Sequence, residues 1–142
     1  YLSFSPSLEM PDAALAISPC TDFTASGETM STHQHRDPII NALAIPLLAQ
    51  IYLENANKKV TDPLASPLFG DLTGLPPLML QTGEAEVLLD DSLRFANKAQ
   101  QAGVDVLLDI WPDMPHVFQG FAPFLPQASE AIERVGVFFR TK

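Results

Sequence analysis

The stretch from Pro76 to Gln119 constrains this chain most, because its order of residue types reads as strand, acidic loop, helix, strand and a final loop carrying His116. Leu78-Met79-Leu80 is a short apolar run bounded by Pro76-Pro77 before it and Gly83 after it, the pattern of a buried strand. Asp90-Asp91 precedes Leu93, Phe95, Ala96 and Ala99 and predicts an N-cap before an amphipathic helix. Gly103 predicts the C-cap, and Val104 to Trp111 reads as the next strand. Two parallel strands joined by a helix form a βαβ unit, and ligand chemistry in such sheets gathers beyond the carboxyl ends of the strands. Here those two ends carry carboxylates and an imidazole.

Glu84, Glu86, Asp90 and Asp91 lie after the first of these strands, and His116 after the second. His116 follows Glu86 by thirty residues, one helix and one strand later. That spacing puts both at the same edge of neighbouring strands, within hydrogen-bonding reach. Asp90 and Asp91 have a sufficient structural role as helix cap and dipole partners. His116 alone is also compatible with a structural turn histidine.

Glu86-Val87-Leu88-Leu89-Asp90-Asp91 resembles a D-P-L-x-D-E motif, and His116-Val117-Phe118 resembles an H-x-F segment. Ile17-Ser18-Pro19-Cys20-Thr21-Asp22-Phe23-Thr24 is similar to a strand ending in S-P-W-x-D-L-T, and Asp62 to Leu68 to D-P-x-x-S-P-L. Together these resemble the C-terminal part of the α/β-hydrolase superfamily, specifically the hormone-sensitive-lipase-like carboxylesterases, over nearly the whole chain. The resemblance implies the C-terminal part of a mostly parallel α/β sheet with flanking helices and part of a helical cap. It gives the catalytic-acid position to Glu86, where aspartate is commoner, with Glu84 or Asp90 as alternatives, and the base to His116. It implies a carboxylic ester hydrolase acting on small-molecule, short-chain acyl esters, needing neither metal nor organic cofactor. It further implies a homodimer through the last strand, with Val104 to Ile110 as the candidate edge.

In that family the nucleophile precedes the acid and the histidine, on a G-x-S-x-G elbow between a strand and a helix. Neither G-x-S-x-G nor an HGGG-type oxyanion segment occurs among the 142 residues. Both are expected N-terminal to Tyr1, in a partner N-terminal half of the same hydrolase. Two rivals stand beside the esterase: a catalytically incompetent half-domain acting only in association, and an amidase or lactonase on the same fold.

The composition narrows the partners. A net charge of −9 argues against nucleic acid and anionic membranes. No uninterrupted run of about 18 apolar residues suggests a membrane span. Cys20 is the single cysteine, so no internal disulfide forms, which suits a reducing, cytoplasmic setting. It reads as a buried strand-end residue. His33 and His35 have no acidic or cysteine cluster beside them and read as solvated rather than metal-binding.

Taken in order, residues 1–36 supply a lead-in with the tail of a preceding helix, a strand at Asp12 to Ser18, and a long surface loop from Pro19 to Arg36. Residues 37–60 form a cap helix: Asp37 caps it, Pro38 starts it, and it runs to Glu54 with a kink at Pro46. Ile39, Ile40, Leu43, Leu47, Leu48, Ile51 and Tyr52 recur at helical spacing, and most read as core packing. Residues 61–142 complete the hydrolase core, ending in a helix from Gln127 to Arg140 that covers one sheet face.

Overall fold

Proline has no N–H to give a ladder, so the central strand starts where Pro76-Pro77 ends. In the computed structural model, which describes residues 9–54 and 56–142, the strands are β1 (Ala14–Ile17), β2 (Leu78–Gly83) and β3 (Val106–Trp111). The helices are α1 (Thr29–Thr32), α2 (Ala44–Leu53), α3 (Leu89–Gln101) and α4 (Pro126–Arg140). The sheet is parallel, in the order β1-β2-β3. Ile17 pairs with Gln81 and Gly83 with Trp111, which brings the three carboxyl ends together along one edge.

The alternation along β2 separates two cores. Leu78 and Leu80 pack with Leu68, Leu72, Phe95, Ala96, Ala99 and Val104, so α3 covers that face. Gln81 points the other way and donates to the Ala131 carbonyl of α4. Every residue of β2 is buried, as expected for a strand covered on both faces. Gly103 ends α3 with φ +83°, a left-handed conformation that glycine adopts without steric cost.

Several expectations change. Asp90 and Asp91 do not cap α3; the helix begins at Leu89, and both aspartates lie in its first turn. Asp37 does not cap a helix starting at Pro38. Its Oδ1 accepts the N–H groups of Ile39 and Ile40 in a local turn, and its Oδ2 accepts that of Val87, so α2 starts only at Ala44. Pro46 consequently sits in the first turn of α2, where no intrahelical N–H bond is lost. The reading of α2 as core packing is also overturned: Ile45 and Ala49 are buried, whereas Leu43, Leu47, Leu48, Ile51 and Tyr52 are exposed.

The region from Pro19 to Arg36 is more than a surface loop. It contains α1 and buries Thr21, Asp22 and Thr29. The expected tail of a preceding helix falls mostly on residues 1–8, outside the described residues. Among the described residues no helix is long and apolar enough to cross a membrane.

Candidate active site

Each strand of the sheet delivers one element of the site just past its carboxyl end. Ser18 follows β1, Glu86 follows β2 by one tight turn, and His116 lies in the loop after β3. The turn after β2 is pinned to that loop by two backbone bonds, Glu84 N–H to the Trp111 carbonyl and Ala85 N–H to the Met114 carbonyl. Glycine is required at position 83, because a β-carbon there would overlap the Met114 carbonyl.

Glu86 is fully buried, yet its carboxylate is well provided with donors. Oε1 accepts from the Ser18 hydroxyl (3.0 Å), the Thr82 hydroxyl and the Gly83 N–H. Oε2 lies 3.0 Å from His116 Nδ1. A buried charge is tolerated when it is paired and hydrogen-bonded in this way. An ionised carboxylate only accepts, so the shared proton sits on Nδ1, and in the neutral ring Nε2 is then the acceptor. No described residue hydrogen-bonds Nε2, and the imidazole keeps 16% of its surface exposed. The arrangement can hold a ring in one tautomer and present a base at its far nitrogen.

The two other candidate carboxylates are engaged elsewhere. Glu84 is half-exposed, accepts the Asp113 N–H and lies 3.8 Å from Arg36. Asp90 accepts the N–H groups of Glu28 and Thr29, at the start of α1. Asp91 accepts those of Thr21 and Asp22, at 2.7 and 2.9 Å. Burial pushes its carboxyl up to about 6, against the pull of those two N–H groups. Asp22 is lowered instead: burial would raise it, but hydrogen bonds from Ser26, Thr24 and Arg94 outweigh that cost.

Cys20 is half-buried, and burial, reinforced by the Asp91 charge, pushes its thiol up to about 11. It stays a thiol at neutral pH, which is unsuited to nucleophilic attack. His33 contacts the Thr32 hydroxyl and the Arg36 guanidinium. Trp111 is a packing residue: its indole N–H donates to Asp109, and its ring meets Phe118 at 5.5 Å and Arg134 at 4.5 Å. Phe118 is fully buried, whereas Phe124 stands almost wholly in solvent.

Sequence reasoning missed Ser18 and Thr82. The signal was their position, each at the carboxyl end of a strand whose neighbour supplies Glu86 or His116. Ser18, Asp113 and Val117 all have positive φ (44°, 57° and 51°), and the last is β-branched. Such conformations are costly and gather where packing must hold a particular geometry.

The model of a family with the alpha/beta hydrolase fold matches residues 3–120. The chain belongs to the α/β-hydrolase family. This α/β-hydrolase chain is 40% identical over 132 residues to an acetyl-hydrolase of Streptomyces hygroscopicus, covering 93% of this chain and 44% of that protein. It is 37% identical to an esterase of Acinetobacter venetianus, covering 91% and 42%. A crystal structure of an esterase from the bacterial hormone-sensitive lipase family superposes with a TM-score of 0.91 at 44% identity, covering 95% of this chain and 45% of that one. The chain is therefore of the hormone-sensitive-lipase-like kind within that fold. The chain spans less than half the length of the relatives it matches.

Proposed function

We propose that this chain supplies the base and its positioning acid to a serine carboxylesterase acting on short-chain acyl esters. The nucleophile and the oxyanion donors come from a segment N-terminal to Tyr1. The observation that carries this reading is the 3.0 Å contact of His116 Nδ1 with buried Glu86, which leaves Nε2 as the proton acceptor. The relatives' names, acetyl-hydrolase and esterase, support the ester class and a small acyl group.

In the first step the serine oxygen bonds to the ester carbonyl carbon as its proton passes to His116 Nε2. Backbone donors of the N-terminal segment hold the oxyanion. The carbon–oxygen bond to the alcohol then breaks, and His116 returns the proton to the departing oxygen. Water repeats the sequence on the acyl-serine, releasing the acid and the free serine. Throughout, Glu86 stays ionised, fixes the tautomer and stabilises the imidazolium.

The test is turnover of p-nitrophenyl acetate and butyrate by the protein that joins this chain to the nucleophile segment, with and without His116→Ala. A loss of about 10³-fold or more is expected. Full activity in the variant overturns His116 as base, and no turnover in the parent favours a half-domain that acts only in association.

The same reading extends to a homodimer along β3. Its outer edge is unpaired among the described residues, and Leu107 and Ile110 are exposed on it. Light scattering of Leu107→Lys should show a monomer where the parent is a dimer; an unchanged mass removes this interface.

A further inference from the structure

Three strand ends meet at one oxygen atom. The Ser18 hydroxyl donates to Glu86 Oε1 (3.0 Å) and accepts the N–H of Val117 (3.1 Å), the residue after His116. Its own backbone N–H is held by the Gln81 carbonyl (2.9 Å), and the side chain is buried. A serine hydroxyl has one proton to give and lone pairs to receive, so this one bonds the acid and the histidine loop at once.

The other donors to Oε1 do something different. Thr82 and Gly83 belong to the same strand end as Glu86, so they fix the carboxylate within its own turn. Neither of these donors hydrogen-bonds the histidine loop as well, although Gly83 packs against the Met114 carbonyl there. Ser18 comes from the neighbouring strand, and its side chain bonds both Glu86 and, through the Val117 N–H, the loop that carries His116. Two conformational costs accompany this contact, because Ser18 (φ 44°) and Val117 (φ 51°) both occupy the left-handed region. A hydroxyl pointed elsewhere would leave the Glu86 carboxylate one donor short and the Val117 N–H unpaired by this residue.

We propose that Ser18 is a positioning residue for the acyl-transfer reaction, clamping the loop that carries the base His116 onto the carboxylate of Glu86. This rests on the esterase reading above. Ser18 does not touch the reacting atoms. It acts by keeping His116 Nδ1 within hydrogen-bonding distance of Oε2, so that Nε2 is presented in one place and one tautomer.

The test compares Ser18→Gly with Thr82→Val in the protein that carries the nucleophile segment. Glycine takes up φ 44° without strain and removes the hydroxymethyl group, so that Ser18→Ala, which removes the hydroxyl alone, controls for the lost β-carbon. Valine keeps the shape of threonine and removes a donor to the same Oε1, leaving the histidine loop attached. Ser18→Gly should lower kcat about tenfold with KM changed less than about twofold, the loss of one hydrogen bond to a charged group. Thr82→Val should lower kcat by only about two- to threefold. The low-field proton resonance of His116 Nδ1–H should broaden or vanish in Ser18→Gly and persist in Thr82→Val. Ser18→Ala provides a second removal of the hydroxyl, and its resonance should behave like that of Ser18→Gly.

Wild-type kcat and an intact resonance in a Ser18 variant overturn the clamp, as does an equal loss in the Ser18 and Thr82 variants. His116→Ala separates the two levels of inference. If that variant is inactive while Ser18→Gly is unaffected, the clamp alone falls. If it keeps full activity, the base assignment falls, and the clamp with it.

Discussion

Gly83 and Met114 are in backbone contact across the ends of β2 and β3, so close that no other residue type fits at position 83 without movement. The contact brings the acid turn and the histidine loop to the separation at which a glutamate and an imidazole can bond. Gly83→Ala should therefore push the two apart and disturb the N–H that Glu86 Oε1 accepts. A destabilisation of about 1–3 kcal/mol is expected, the usual range for a group forced into packed space. Urea denaturation measures it, and esterase turnover should fall by at least about tenfold in the same variant. Unchanged stability and activity would mean the loop yields freely.

Glu86→Gln keeps the side chain's shape but lets the amide donate, which favours the wrong imidazole tautomer. A drop in kcat of roughly 10³–10⁴-fold is expected, the scale found when the acid of such a triad becomes an amide. Glu86→Asp retains the charge with one methylene fewer and should keep much more activity. Equal kcat in the Gln and Asp variants would show that charge is irrelevant at this position.

The carboxyl of Asp91 titrates near pH 6 in the folded protein, against an ordinary value of 3.8. Between those two values the folded state holds a proton that the unfolded state has released. Stability should therefore fall as pH rises from about 4 to about 6 and then level off. The contribution is on the order of 2–3 kcal/mol. Asp91→Asn still accepts the N–H groups of Thr21 and Asp22 but cannot ionise, so this slope should disappear. Asp22, whose carboxyl is lowered, loses its contribution only at more acid pH, and comparing variant with parent cancels it. Chemical denaturation across pH 4–7 provides the measurement, and parallel curves for the two proteins would refute the assignment.

Phe118 is fully enclosed among Trp111, Ala128 and Ala131, two residues beyond His116. Phe118→Ala should cost about 3–5 kcal/mol through lost burial and the cavity left behind. Because the same ring anchors the histidine loop against α4, kcat should fall by more than KM rises. A loss below about 1 kcal/mol by denaturant titration would show that the loop is anchored by other residues.

What the chain reveals by itself is local. The proline pair before Leu78, the apolar run from Leu78 to Leu80, the apolar face of α3 and Gly103 at its end all act within a few residues. The backbone has little choice there, and the βαβ unit, with carboxylates after its first strand and His116 after its second, could be read directly. The resemblance then singled out Glu86 and His116. Glu84 and Asp90 remained open, because a carboxylate's direction is set by the turn beneath it and not by its neighbours in sequence.

Tertiary packing decided the rest. Asp90 and Asp91 carry the pattern of a helix cap, but their oxygens are taken by backbone donors some sixty to seventy residues away, near Thr21 and Thr29. Asp37 likewise spends its second oxygen on Val87, which delays the start of α2. Ser18 lies 68 residues before Glu86 and 99 before Val117, and its strand-end position alone does not say which side chains it meets. A hydroxyl finds its partners only when strands from distant parts of the chain align in register. Local periodicity determines which elements form; the pairing of β1, β2 and β3 determines which side chains meet.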